Sequence, residues 1–503
     1  MILEGMLSVI NPTCMLLIAG GVILGIIFGS LPGLTATMGI ALCLPLTFTM
    51  STLNSLALLV GIYVGGISGG LISAILLKIP GTPSSIATVF DGGPMAENGQ
   101  AGRALSVGLF YSFIGTIFGI IILIFAAPLV ARITIKFSCY EYFAIGVFSL
   151  TMVSSLVSGN PIKGLASCLI GVMMAMVGMA PVSSTYRFTF GNANLNGGFA
   201  LLAVMVGLFA VAEIIGKSYE GFNKSEGTVR NYKLTGFGVS MKEFVYQIPN
   251  ALRSALIGLG IGILPGIGGG TSNMISYAIA KNTSKHPEKF GTGIIDGIIA
   301  SETSNNSGIG GALITLLTLG IPGDTVTAML LSAFMMQGIS PGPTLFKTSG
   351  KLVYGIFAAI IIATVLMYVF EYGFMGLFVK VLKVPKYILL PIILVLCTVG
   401  TFGNNNRVFD VWVVMFFGIV GFLAGQLGFP TSPMILGFIL ETTIETNLIR
   451  GLQLSRNNWG AFFVRPISIA FYALSILSIV LAIRKMHRQS KAENPKSVSG
   501  GHA

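Results

Sequence analysis

GISGGLISAILLKIPG, from Gly66 to Gly81, and GIGGALITLLTLGIPG, from Gly308 to Gly323, lie 242 positions apart and share nine of sixteen residues, including the terminal Ile-Pro-Gly. A second pair sits upstream. Gly25, Gly29, Leu31, Pro32 and Gly33 match Gly258, Gly262, Leu264, Pro265 and Gly266 at an offset of 233. Two matches in the same order read as an internal duplication rather than a chance likeness between glycine-rich apolar helices. The Pro-Gly motifs stand 48 residues apart in the first copy and 57 in the second, and we assign the extra residues to the polar KNTSKHPEKFGTG from Lys281. Proline lacks an amide hydrogen and glycine tolerates positive φ, so each motif is expected to end a helix and free backbone groups.

The composition says what surrounds those breaks. Of 503 residues only 9% are charged and 53% are hydrophobic, and the mean hydropathy is +0.87. Too few charges exist to build a water-facing surface, so most of the chain is solvated by lipid. This excludes soluble enzymes, secreted scaffolds and nucleic-acid-binding modules. The net charge of +12 reflects basic residues in short loops and in the tail from Arg484 to Lys496, the cytoplasmic bias of membrane proteins. Cys14, Cys43, Cys139, Cys168 and Cys397 form no CxxC pair and read as small apolar residues. The three histidines, His286, His487 and His502, do not make a metal site, and no cofactor is expected. The segment MILEGMLSVINPTC lacks a basic start, which argues against a cleaved signal peptide.

Apolar stretches able to cross a core of about 30 Å fall near 14–30, 54–78, 104–131, 140–158, 161–180 and 197–216, then near 249–264, 293–321, 324–338, 351–379, 386–402, 408–427, 429–449 and 464–484. The chain therefore reads as an all-α polytopic membrane protein: a first repeat (1–216), a cytoplasmic connecting loop (217–247), a second repeat (248–484) and a cytoplasmic tail (485–503). Strands are not expected, because an open sheet edge is unsatisfied in lipid. Lys and Arg concentrate in the connecting loop, around Lys380, Lys383 and Lys386, and in the tail. Placing those inside makes the repeats inverted, with discontinuous helices meeting at mid-membrane.

Four breaks in matching places predict a polar cavity, because irregular backbone at membrane depth must be buried in protein or line water. Small hydrogen-bonding residues follow each break. Pro32-Gly33 precedes Thr35 and Thr37, and Pro80-Gly81 precedes Thr82, Ser84, Ser85 and Thr88. Pro265-Gly266 precedes Thr271, Ser272 and Asn273, and Pro322-Gly323 precedes Asp324, Thr325 and Thr327. Helix starts offer free N–H groups and a partial positive charge, so they can hold a carboxylate without a buried arginine. Ordinary capping explains the same residues one at a time and is compatible with binding. SETSNNSGIGG places Glu302, Asn305 and Asn306 in an apolar segment. Buried ionisable groups in membranes mark ion paths, and these oxygens suit Na⁺ or, through Glu302 alone, a proton. A polar contact between helices is the plainer alternative. Glu441 and Glu445, four apart on one helix face, form a second candidate. No GxxxxGK[ST] loop occurs, and the central loop reads as a connector.

The segments LPGLTATMGIALCLPLTF (Leu31 to Phe48), IPGTPSSIATVFDGGPMAENGQAGRAL (Ile79 to Leu105), and LPGIGGGTSN through GIPGD to GISPGPTLF (ending Phe346) resemble the large permease subunit of the tripartite tricarboxylate transporters. The resemblance covers both repeats. It implies a bacterial inner-membrane, multi-pass importer of a small carboxylate, working with a small membrane subunit, a periplasmic substrate-binding protein and a Na⁺ or H⁺ gradient. The family's Pro-Gly signatures fall on Pro32-Gly33, Pro80-Gly81, Pro265-Gly266 and Pro322-Gly323. Many relatives carry an aromatic at Gly93 and a basic residue near Glu97, and the chain departs from them there. Two other classes stand beside the transporter: an intramembrane enzyme acting on a lipid-linked substrate, for which no acid/base or metal constellation is present, and a passive anion channel.

Overall fold

The structure is a computed structural model and describes residues 2–156, 161–220, 233–234, 236–382, 384 and 386–493. The charge readings at Lys224, Arg230, Lys383 and Lys496 lie outside the described residues, as do the side chains of Lys386, Lys485, Arg488 and Lys491. The chain is all-α and polytopic. Among the described residues, seven helices of at least 18 residues are apolar enough to cross a membrane, joined by shorter apolar helices. They group into two compact units, 1–135 with 201–422, and 136–200 with 423–503. These units cut across the chain-order halves.

Both copies of the duplicated motif lie in the first unit. The first copy runs through α1 (Pro12–Ser30), α2 (Ala36–Cys43), α3 (Thr52–Leu76), α4 (Ile86–Glu97) and α5 (Ala101–Thr134). The second runs through α6 (Met241–Ile263), α7 (Gly268–Thr283), α8 (Ile295–Leu319), α9 (Thr325–Met336) and α10 (Gly350–Val381). Each Pro-Gly motif falls between two helices, so all four predicted breaks are interruptions of regular helix. Glycine acts differently at the two kinds of break. Gly33 and Gly266 take φ of +88° and +73°, which a side chain resists. Gly81 and Gly323 have no positive φ; a Cβ there would overlap the carbonyl of Gly29 or of Gly262.

Those overlaps show that the two copies pack alike. A Cβ on Gly25 would meet the Ile62 carbonyl and one on Gly29 that of Gly66, while Gly258 meets Ser304 and Gly262 meets Gly308. Every pair maps onto its twin through the offsets 233 and 242. The copies also contact each other reciprocally. Helix α5 packs along α8, with Gly115 against Thr303 and Gly119 against Ser307, and α10 packs along α3, where Ser68 Oγ donates to Glu371 Oε2 at 2.7 Å. Thr37 Oγ1 lies 3.1 Å from Thr325 Oγ1, and at the twin positions Gly270 faces the carbonyl of Pro83. Contacts that exchange partners in this way are what an approximate internal two-fold relation would produce.

In the second unit, the helices Cys139–Leu156, Pro161–Ala175, Thr431–Leu454 and Pro466–Glu493 pack through further close approaches, Gly171 on Met434 and Gly437 on Cys168. Here the expectation of no strands is corrected. Gly178–Met179 pairs antiparallel with Tyr186–Arg187. The lipid argument forbids open edges only within hydrocarbon, and this two-residue ribbon sits in the polar connection after Ala175. It carries Arg187, whose guanidinium donates to both oxygens of Glu445 at 2.7 and 2.9 Å. Glu445 is thereby committed to an ion pair, which removes half of the Glu441 and Glu445 ion-site candidate.

The glycine seams give a paired prediction. Gly262→Val pushes a side chain into the Gly308 backbone and is expected to destabilise the protein by about 1–3 kcal/mol, the usual range for overpacking. Gly260→Ala, with open space where its Cβ would stand, is expected to be silent. Thermal unfolding of the purified protein in detergent separates the two, and equal midpoints count against the packing described.

Candidate functional site

Three of the four breaks meet around one polar centre, and α2, which follows the remaining break, reaches it through Thr37. From the second break, Thr82 and Ser85 form a capping box, and Thr82 Oγ1 lies 2.9 Å from Ser84 Oγ. From the fourth, Asp324 caps α9, accepting from Thr327 N and Thr327 Oγ1, both at 2.7 Å. Its other oxygen accepts from the Tyr63 hydroxyl of α3 at 2.6 Å. From the third break, Asn273 Nδ2 donates to the Ser84 carbonyl, and Ser272 Oγ donates to the Gly269 carbonyl at 3.1 Å. Thr325 reaches Thr37, as described above. The structure therefore brings together Thr82, Ser84, Ser272, Asn273, Asp324 and Thr325. Thr271 lies half-buried in the first turn of α7, and Ser85 faces its own cap.

The helix starts at this centre differ in what they offer. Thr35 and Asp324 each cap their own helix with a side chain, and a capped start has fewer free N–H groups; Thr82 and Ser85 close the short turn Pro83–Ser85 ahead of α4, whose own start carries no side-chain cap. The start of α7 has no side-chain cap: its N-cap residue is Ile267, followed by Gly268, Gly269 and Gly270. This glycine-rich start lines a small enclosed cavity with Tyr63, Ser272, Asn305 and Asp324. The space admits about one water-sized particle.

The residues Glu302, Asn305 and Asn306 do not share one face of α8. Glu302 and Asn306 turn toward α4 and α5. Glu302 accepts from Thr88 Oγ1 at 2.5 Å, Ser112 Oγ at 3.0 Å and Asn306 Nδ2 at 3.3 Å. Asn305 turns the other way, into the cavity beside Gly269, and at 2% exposure neither of its amide atoms has a hydrogen-bond partner among the described residues.

Sequence reading passed over Tyr63 and Glu371. Both signals were present. Tyr63 stands at the twin position of Asn305 through the offset of 242, and Glu371 is an acidic residue inside a long apolar run. Glu371 is fully buried; Ser68 serves one oxygen and the other has no partner among the described residues. The departures at Gly93 and Glu97 also acquire a reason. Lys78 lies across Gly93, 2.8 Å from where its Cβ would be, and pairs with Glu97. A large side chain at 93 and a basic one at 97 would both conflict with Lys78.

A duplicated set of broken apolar helices, converging on hydrogen-bonding groups that include the Asp324 carboxylate, defines a polytopic membrane protein. A sequence profile of the Tripartite tricarboxylate transporter TctA family matches residues 15–436, and the chain belongs to that family of membrane transport proteins. It is 37% identical over 463 residues, covering 92% of each chain, to a protein of Agrobacterium vitis described as an uncharacterized 52.8 kDa protein in the TAR-I ttuC' 3'region. A second Agrobacterium vitis protein, described as uncharacterized in the TAR-II ttuC' 3'region, is 35% identical over 223 residues, 44% of this chain and 92% of the relative. No solved structure matches the chain.

The Glu302 cluster is testable by an isosteric change. Thr88→Val removes one donor from a buried carboxylate and is expected to cost about 1–3 kcal/mol. Thermal unfolding in detergent reads this; an unchanged midpoint argues against the hydrogen bond.

Proposed function

We propose that the chain is the large membrane subunit of a secondary active transporter in the bacterial inner membrane, importing a tricarboxylate or related organic carboxylate on a Na⁺ or H⁺ gradient. A periplasmic binding protein delivers the cargo and a small membrane subunit completes the complex, as family membership suggests. The observation that carries the reading is the uncapped, glycine-rich start of α7, with Ser84 packed against Gly269 and no Lys, Arg or His among the residues lining the cavity, where Asp324 is the one charged side chain. Oriented N–H groups and hydroxyls at a helix start bind an anion without the desolvation penalty of a buried cation.

The cavity admits only a water-sized particle, so a carboxylate cargo requires the break segments to separate. This fits alternating access, in which the site opens to one side at a time. The charge bias of the loops supports inverted copies. The coupling groups belong to the interior of α8, where Glu302 with Asn306, and Asn305 separately, offer two distinct places for an ion.

The test is uptake into proteoliposomes with both partner proteins, scanning carboxylates against sodium and pH gradients. Accumulation above the external concentration, dependent on the binding protein, is expected, and Pro322→Ala with Gly323 retained is expected to lower it at least tenfold. Equilibration without accumulation would establish the channel instead, and chemical conversion of a lipid-linked substrate the enzyme. Full uptake by the proline variant removes the broken helix from the mechanism.

A further inference from the structure

We propose that the cavity between Tyr63, Asn305 and Asp324 is a site for one dehydrated Na⁺, bound between the Asp324 carboxylate and the Asn305 side-chain oxygen. The inference deepens the transport reading and rests on it for the cargo, while the ion site itself stands on geometry.

Size is the first argument. The space takes one water-sized particle, too small for a carboxylate-bearing solute and right for a bare monovalent cation. The donor set is the second. The cavity collects the Asp324 carboxylate, the Asn305 amide and the Ser272 hydroxyl, beside the end of α6, where terminal carbonyls have no helical partner. These are hard oxygen ligands, with no imidazole or thiolate to favour a transition metal. One carboxylate matches a single positive charge.

Charge balance is the third. Asp324 is 8% exposed, and its hydrogen bonds from Tyr63 and Thr327 bring no full positive charge. The starts of α9 and α7 each supply roughly half a unit charge at most, so Asp324 is countered only by helix ends and neutral donors, and the Asn305 amide oxygen accepts from none of them among the described residues. An amide left bare in a buried site is costly, and a cation at its oxygen relieves that cost. The Asn305 nitrogen is then left to donate to an anionic cargo, which Asp324 would otherwise repel. Binding of the ion therefore favours binding of the carboxylate.

The duplication supplies an internal control. At the twin positions, Asn305 is replaced by Tyr63 and Asp324 by Thr82. The twin site has no carboxylate, so this centre holds one ion rather than two.

The experiment is thermal unfolding of the purified full-length protein, without cargo, as NaCl replaces choline chloride at constant ionic strength. The expected result is a midpoint that rises with Na⁺ and less with K⁺. Asp324→Asn and Asn305→Ala are each expected to raise the half-saturating Na⁺ concentration about tenfold or more, equivalent to about 1.4 kcal/mol per tenfold, while Gly260→Ala keeps the wild-type value. If Asp324→Asn does not fold, Asn305→Ala carries the test, since it deletes the amide without changing charge. The site is overturned by a midpoint indifferent to Na⁺, by Asn305→Ala retaining wild-type half-saturation, or by Glu302→Gln moving it instead. Sodium binding that persists when no carboxylate is taken up removes the cargo reading and leaves the ion site standing.

Discussion

A main-chain amide or carbonyl in hydrocarbon must find a partner, and this constraint organises the first unit. Helix satisfies it along α3 and α8, which are buried over almost their whole length. The Pro-Gly interruptions break the helical pattern four times, and the backbone of each is at least partly covered by protein. The glycine seams make the enclosure possible. With only hydrogen at Gly25, Gly29, Gly258 and Gly262, α1 lies against α3 and α6 against α8 backbone to backbone. The breaks, held at the ends of these pairs, then present their polar groups to each other instead of to lipid.

The duplication and the breaks were legible because they rest on backbone chemistry. Proline and glycine act locally, and a constant offset between two such motifs survives whatever the tertiary contacts do. The direction of side chains was not legible in the same way. Glu302, Asn305 and Asn306 read as one cluster because they are near in sequence, yet a helix separates neighbours by about 100° per residue. Residues four apart share a face, so Glu302 and Asn306 meet, while Asn305 looks elsewhere. Capping was half legible. Hydroxyls and a carboxylate after the breaks do stand near helix starts, but Thr35 and Asp324 close theirs, while the α-helical starts at Ile86 and Gly268 carry no side-chain cap. That difference depends on whether the helix begins at the hydroxyl or, as at Gly268, three residues before it.

The tiny ribbon at Gly178 and Tyr186 marks the limit of arguing from lipid alone. Solvation sets what is allowed in the hydrocarbon and is silent about connections outside it. Arg187 could be assigned to a carboxylate only once the ribbon had placed it opposite Glu445.

Two copies joined by an approximate two-fold relation would, with identical residues, build two equivalent half-sites. Sequence drift has made them unequal in charge. In one, Tyr63 fills the position and donates its hydroxyl across the relation to Asp324; in the other, Asn305 leaves its amide bare. Thr82 stands where its twin Asp324 stands, neutral where the other is acidic. The coupled import proposed above, of an anion together with a cation, would need this kind of division within one centre. Opposite charges must be received a few ångströms apart without cancelling the groups that receive them. The duplicated frame sets the two half-sites side by side, and the exchange of Thr82 for Asp324 makes one of them acidic, while Tyr63 and Asn305 differ only in their hydrogen bonding.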